Sequence, residues 1–121
     1  MIEIKKSRYD NMEFKLLGKI EYFVEFIDIY LLEGCPRTYR VTCDGLRNAS
    51  YSLISNCAYA NINTGNIRNK YQKEILVSLV IIDFYLGVFL DKKVLKEKLF
   101  LTLCNMLNEI RKMVYGWMNE K

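Results

Sequence analysis

Thr38–Ile62 reads TYRVTCDGLRNASYSLISNCAYANI, and its spacing decides the fold class. Tyr39, Cys43, Leu46, Ser50, Leu53, Cys57 and Ala60 recur at alternating intervals of four and three, which line up along one face of an α-helix. Several of these residues are small, so a neighbouring helix can come close. The stretch is bounded on both sides. Gly34-Cys35-Pro36 precedes it, where glycine suits a left-handed helix cap and proline cannot continue a helix. Asn61, Asn63, Thr64, Gly65 and Asn66 follow it, a polar run tolerant of turn dihedrals.

Three further segments carry the same period. Upstream, residues 12–33 place Leu16, Ile20, Phe23, Ile27 and Tyr30 on one stripe. Downstream, a third helix is predicted over 67–90 and a fourth over 94–119, separated by Asp91-Lys92-Lys93. The fourth presents Leu99, Leu103, Met106, Ile110, Met113 and Trp117, with Phe100, Leu107 and Val114 on a flank. Four helices of similar length joined by short breaks pack most simply as an up-down-up-down four-helix bundle. The 121 residues thus form one all-α domain, with helices at about 12–33, 38–62, 67–90 and 94–119. A chain of this size buries roughly two-thirds of its unfolded surface and needs no metal or disulfide staple.

The third helix is apolar nearly all round. Ile75–Leu90 reads ILVSLVIIDFYLGVFL, which is shorter than the ~20 residues of a bilayer span and has Asp83 in its middle. It reads as a buried helix and not a membrane segment. Its core stripe is predicted as Tyr71, Ile75, Ile82, Tyr85 and Phe89. Leu79, Val80, Leu86 and Leu90 are left for other faces, so they are expected to form an oligomer interface.

Composition narrows the function. The chain is 51% apolar and 26% charged with a single proline, the profile of a globular protein. There is no histidine, no C-x-x-C pair, and no nucleotide-binding or nucleophile-elbow motif. Glu21, Glu25 and Asp28 share a helix face, but the Glu-x-x-His elements of carboxylate-bridged metal bundles are missing. That face reads as a solvated acidic surface. No catalytic residue, metal or cofactor is expected, and binding is the predicted mode of action.

Cys35, Cys43, Cys57 and Cys104 could form two disulfides. Met1–Asp10 is charged and lacks the apolar stretch of a leader, so a cytoplasmic protein with four reduced thiols is expected. The Asn48-Ala49-Ser50 sequon then carries no meaning.

The net charge of +4 suits a polyanionic partner without requiring one. The charge is unevenly placed: between Gly34 and Lys73, Arg37, Arg40, Arg47, Arg68, Lys70 and Lys73 face a single acid, Asp44. An up-down bundle would bring Arg37, Arg40 and Arg47 towards Lys92, Lys93, Lys96 and Lys98 at one end. The other end would gather Lys15, Arg68, Lys70, Lys73, Arg111 and Lys112. Such clusters can neutralise phosphates without reading bases. Helix ends that simply carry charge explain the pattern equally well.

Two stretches resemble a known family. Cys35–Asn61, CPRTYRVTCDGLRNASYSLISNCAYAN, is similar to the second helix of the small bundle proteins that include the accessory variability determinants of diversity-generating retroelements and the proteins of 23S ribosomal RNA intervening sequences. In these a proline and basic residues precede an aromatic, a leucine-arginine pair and a closing alanine-asparagine. The tail Asn108–Met118, NEIRKMVYGWM, resembles the accessory-determinant ending, a glutamate-isoleucine-glycine-arginine-methionine run leading to glycine-tryptophan. The asparagine-isoleucine-alanine-glutamate-glycine signature of the intervening-sequence branch is absent.

The resemblance implies a ring-like pentamer with a basic surface that binds the retroelement's reverse transcriptase and its RNA or cDNA during mutagenic retrohoming, without catalysis of its own. Arg47, Arg111 and Trp117 match family positions. One departure is that Asp83 and Gly87 stand where the family often places two arginines. The sites expected to contact phosphates are Arg37, Arg40, Arg47, Arg68, Lys70, Lys73, Arg111 and Lys112. The alternative expectation is a structural homo-oligomer of the intervening-sequence type that binds only protein.

Overall fold

The computed structural model describes residues 12–120; Met1–Asp10, read above for its charge, lies outside them. Helix α1 spans Met12–Ile27 and runs on through a π turn at Asp28–Leu32. A 3₁₀ turn at Arg37–Tyr39 leads into α2 at Arg40–Ile62, followed by α3 at Gly65–Asp91 and α4 at Glu97–Met118.

Contacts between the helices fix the topology. Asp28 lies 3.7 Å from Arg47, and Glu21 is near enough to Cys57 to act on its thiol. As α1 runs forward α2 therefore runs back. Gly45 sits beside Tyr85, and Tyr59 stacks on Tyr71, so α2 and α3 are antiparallel. Arg68 covers Trp117 and Asp83 acts on Cys104, which makes α3 and α4 antiparallel. The four helices alternate in direction, as expected.

The α2 stripe is buried as read: Cys43, Leu46, Ser50, Leu53, Cys57 and Ala60 all lie in the core, with Tyr39 packed at its edge. The Ser50 hydroxyl donates to the Leu46 carbonyl at 2.8 Å, so its burial leaves no orphan donor. Gly45 is the point of closest approach. A Cβ built there would lie 2.7 Å from Tyr85 Cζ, so the tyrosine ring occupies the space that any other residue would need.

Two helices differ from the expected register. In α1, Leu16, Ile20, Phe23 and Ile27 are buried, but Tyr30 is exposed and Leu31 and Leu32 are buried in its place. The π turn explains the difference. Its wider turn accommodates one residue more than an α turn, which carries the apolar stripe forward to Leu31. In α4 the buried line is Leu103, Leu107, Ile110, Val114 and Trp117, while Leu99, Met106 and Met113 pack half-buried along its edge. The helix is thus turned towards the flank that carries Leu107 and Val114.

The α3–α4 connection shows why α4 begins at Glu97 and not at Val94. Lys93 adopts φ 62°, the Lys93 N–H donates to the Leu90 carbonyl, and the Val94 N–H donates to the Phe89 carbonyl, both at 3.0 Å. This is a Schellman cap, with Val94 packed against the core that holds Phe89. Leu95 is buried beneath it, so the linker closes one end of the bundle.

The α1–α2 connection departs from the expectation of four reduced thiols. Cys35 and Cys43 form a disulfide across eight positions, spanning the 3₁₀ turn at Arg37–Tyr39. Cys57 and Cys104 are free.

Candidate nucleic-acid interface

The first cationic group lies at the end of the bundle formed by the α1–α2 and α3–α4 connections. Arg37 and Arg40 are exposed there, and neither makes an ion pair among the described residues. The antiparallel pairing of α2 with α3 brings the same end to Lys92, Lys93, Lys96 and Lys98, all exposed. Exposed acids at this end are Glu33, Asp44, Asp91 and Glu97, fewer than the six cations Arg37, Arg40, Lys92, Lys93, Lys96 and Lys98.

Arg47 was expected with this group, and the structure gives it other partners. It lies 3.2 Å from Asp44 and 3.7 Å from Asp28, tying α2 to the π turn. Arg111 similarly donates to Asn108 Oδ1 at 2.7 Å.

At the opposite end, Arg68 has structural work. Its Nε donates to the Ala60 carbonyl at 2.9 Å and a terminal nitrogen to the Asn61 carbonyl at 3.2 Å, so it caps the last turn of α2. The guanidinium also covers the Trp117 ring at 5.2 Å, which ties the α2–α3 turn to the end of α4. Lys70, Lys73 and Lys112 are exposed, and Lys70 Nζ stands 5.4 Å from the Tyr71 centroid. Of the eight expected cations, Arg37, Arg40, Lys70, Lys73 and Lys112 thus face solvent, Arg68 is engaged between helices, and Arg47 and Arg111 hold surface partners, Asp28 and Asp44 for the one and Asn108 of its own helix for the other.

The expected oligomer interface is corrected by the packing of α3. Leu79 and Leu86 are fully buried in the core of a single chain, Leu90 is half-buried, and Val80 is 64% exposed. The outward stripe instead comprises Val77, Val80, Ile81 and Phe84, opposite the core line of Ile75, Leu79, Ile82 and Leu86. Asp83 and Gly87 border that stripe, where the resemblance would place arginines.

No protein-family model, curated protein or solved structure matches this chain. Its own chemistry therefore has to carry the reading. Burial, with the charge of Glu21 adding to it, pushes the Cys57 thiol up to about 12, which makes it a poor nucleophile at neutral pH. The Cys104 thiol is also raised, by burial and Asp83, against a lowering by Arg111. Among the described residues no group of three or more histidine, cysteine, aspartate or glutamate side chains is placed to hold a metal. No described helix is long and apolar enough to cross a membrane.

Sequence periodicity did not reveal the aromatic pair between α2 and α3. Tyr59 and Tyr71 stack with centroids 5.0 Å apart and planes at 21°. The available signal was antiparallel register, since Gly45–Tyr85 and Tyr59–Tyr71 are rungs of one ladder.

Proposed function

We propose that this chain is a non-catalytic basic scaffold that holds the phosphates of RNA or cDNA, and that it serves a reverse transcriptase as the accessory protein of a diversity-generating retroelement. The observation that carries the phosphate role is the exposed group of Arg37, Arg40, Lys92, Lys93, Lys96 and Lys98 at one end of the bundle. Such a surface binds through counterion release and without base readout. The resemblance of Cys35–Asn61 and Asn108–Met118 supplies the retroelement, the polymerase partner and the pentameric ring. The exposed apolar stripe of α3 supports self-association.

The test is fluorescence anisotropy with a labelled oligonucleotide across a salt series, on the wild type and on Arg37→Glu/Arg40→Glu. Each lost phosphate contact should flatten the log-log salt slope by about 0.7 to 0.9. A doubly reversed variant with unchanged slope and affinity would remove this end from the site. A cytoplasmic address accompanies the role, and there the Cys35–Cys43 bond would be kept reduced. Thiol trapping in freshly lysed cells reads that state directly.

The α3 stripe also favours a second reading, a homo-oligomeric adaptor of the intervening-sequence type that binds protein alone. An oligomer that takes up neither RNA nor DNA at ~100 mM salt would select it.

A further inference from the structure

Both ends of the bundle set exposed apolar side chains beside their cations, Ile29, Tyr30 and Val41 at the Arg37 end and Tyr59, Ile62 and Ile67 at the α2–α3 end. The aromatic pair of the α2–α3 end bridges two helices, whereas Tyr30 meets Phe26 of its own helix. Tyr59 is 50% exposed while its ring stacks against Tyr71, which is itself half-buried against the core. The Asn63 amide donates to the Tyr59 carbonyl at 2.8 Å, so the backbone beneath the ring is held at the last turn of α2. Ile62, one turn further along, is 76% exposed, and Ile67 lies exposed across the turn on α3. Around this surface stand Lys70 and Lys73, both exposed, with Glu74 as the neighbouring acid on α3.

We infer that Tyr59 is a base-stacking platform for single-stranded nucleic acid, with Lys70 and Lys73 meeting the flanking phosphates. The inference rests on the phosphate-binding reading above and specifies its ligand. A duplex shows a protein its phosphates and groove edges, while its base faces are stacked inside. A single strand shows flat base faces, each able to stack on an aromatic ring whatever its identity. A tyrosine whose ring is already stacked on a neighbour gives up little rotational freedom when a base settles on the exposed side. Sequence preference is therefore weak, and the selection is for strandedness.

The experiment compares wild type, Tyr59→Leu and Tyr59→Phe by anisotropy at ~50 mM salt. The probes are labelled oligo(dT), oligo(U), a duplex and an abasic strand of matched phosphate number. Tyr59→Leu should weaken oligo(dT) and oligo(U) binding by roughly 5- to 150-fold, the range of one lost stack, and leave the duplex and abasic strand unchanged. Tyr59→Phe should keep wild-type affinity. Photocrosslinking of an iodouracil-bearing strand to wild-type protein, mapped by mass spectrometry, should mark Tyr59 and decides the matter even if the leucine variant folds poorly. Equal loss across all four probes, or a crosslink elsewhere, overturns the platform and leaves the scaffold reading intact. Wild-type protein that binds none of the probes overturns both.

Discussion

Replacing Gly45 with alanine tests the closest contact in the bundle. In the interior of an exposed helix this change ordinarily stabilises by about 1 kcal/mol, because alanine restricts the unfolded chain and favours the helix. At Gly45 the new methyl group would meet the Tyr85 ring, with Cζ 2.7 Å and Cε1 3.1 Å away. The hydroxyl lies closer still. Overpacking of this kind costs about 1–3 kcal/mol, so the expected net effect is a loss of about 1 kcal/mol. Gly87 and Gly116 supply internal controls, because a Cβ at either meets nothing within 4 Å. Alanine there should gain up to about 1 kcal/mol. Urea unfolding followed by far-UV circular dichroism should then separate Gly45→Ala from Gly116→Ala by about 2 kcal/mol, with wild type between them. Tyr85→Leu should reduce the penalty at Gly45 in a double-mutant cycle. If Gly45→Ala and Gly116→Ala stabilised equally, the α2–α3 approach described here would be wrong.

Other consequences can be measured with the same assay. Lys93 holds φ 62° at the Schellman cap, a region that costs a non-glycine residue about 1–2 kcal/mol, so Lys93→Gly should raise stability by about 0.5–1 kcal/mol. The Cys57 thiol has a folded pKa of about 12 against 9.0 as its ordinary value. Between these values the folded state keeps a proton that the unfolded state releases. Stability should therefore fall as pH rises from 9 to 12, by up to about 1.4 kcal/mol per pH unit, and Cys57→Ala should lose that part of the slope. Leu79→Ala should cost about 2–5 kcal/mol by opening a cavity in the core. Val80→Ser should leave monomer stability within about 0.5 kcal/mol and change only the oligomer size read by light scattering.

The fold was largely legible because most helices carry one apolar face. The α2 stripe could be written down from spacing alone, since its other side is mostly polar, with Val41, Tyr51, Tyr59 and Ile62 as the exposed exceptions. Helix α3 defeated the same method for a physical reason. With Leu79 and Leu86 on one side and Val77, Val80 and Phe84 on the other, periodicity finds two apolar faces and cannot say which turns inward. The π turn was invisible because its effect is a shift of one position, from Tyr30 to Leu31, within the apolar run Ile29–Leu32. For the candidate site, composition located the cations but not their partners. Arg68 looks like its neighbour Lys70 in sequence. Only the antiparallel turn shows that its planar fork fits two α2 carbonyls while the exposed lysine stands over the Tyr71 ring.

The π turn at Asp28–Leu32 also says something about how this chain tolerates change in length. A helix that winds one residue too many within a single turn has absorbed an insertion without moving either neighbour. Ile29 and Tyr30 are both exposed there, so deletion of either one removes no core side chain. The shortened helix would close into regular α geometry with Leu31 and Leu32 still aimed inward. Length variation in relatives of this protein should accordingly collect at this point in α1, and the bundle on either side should stay in register.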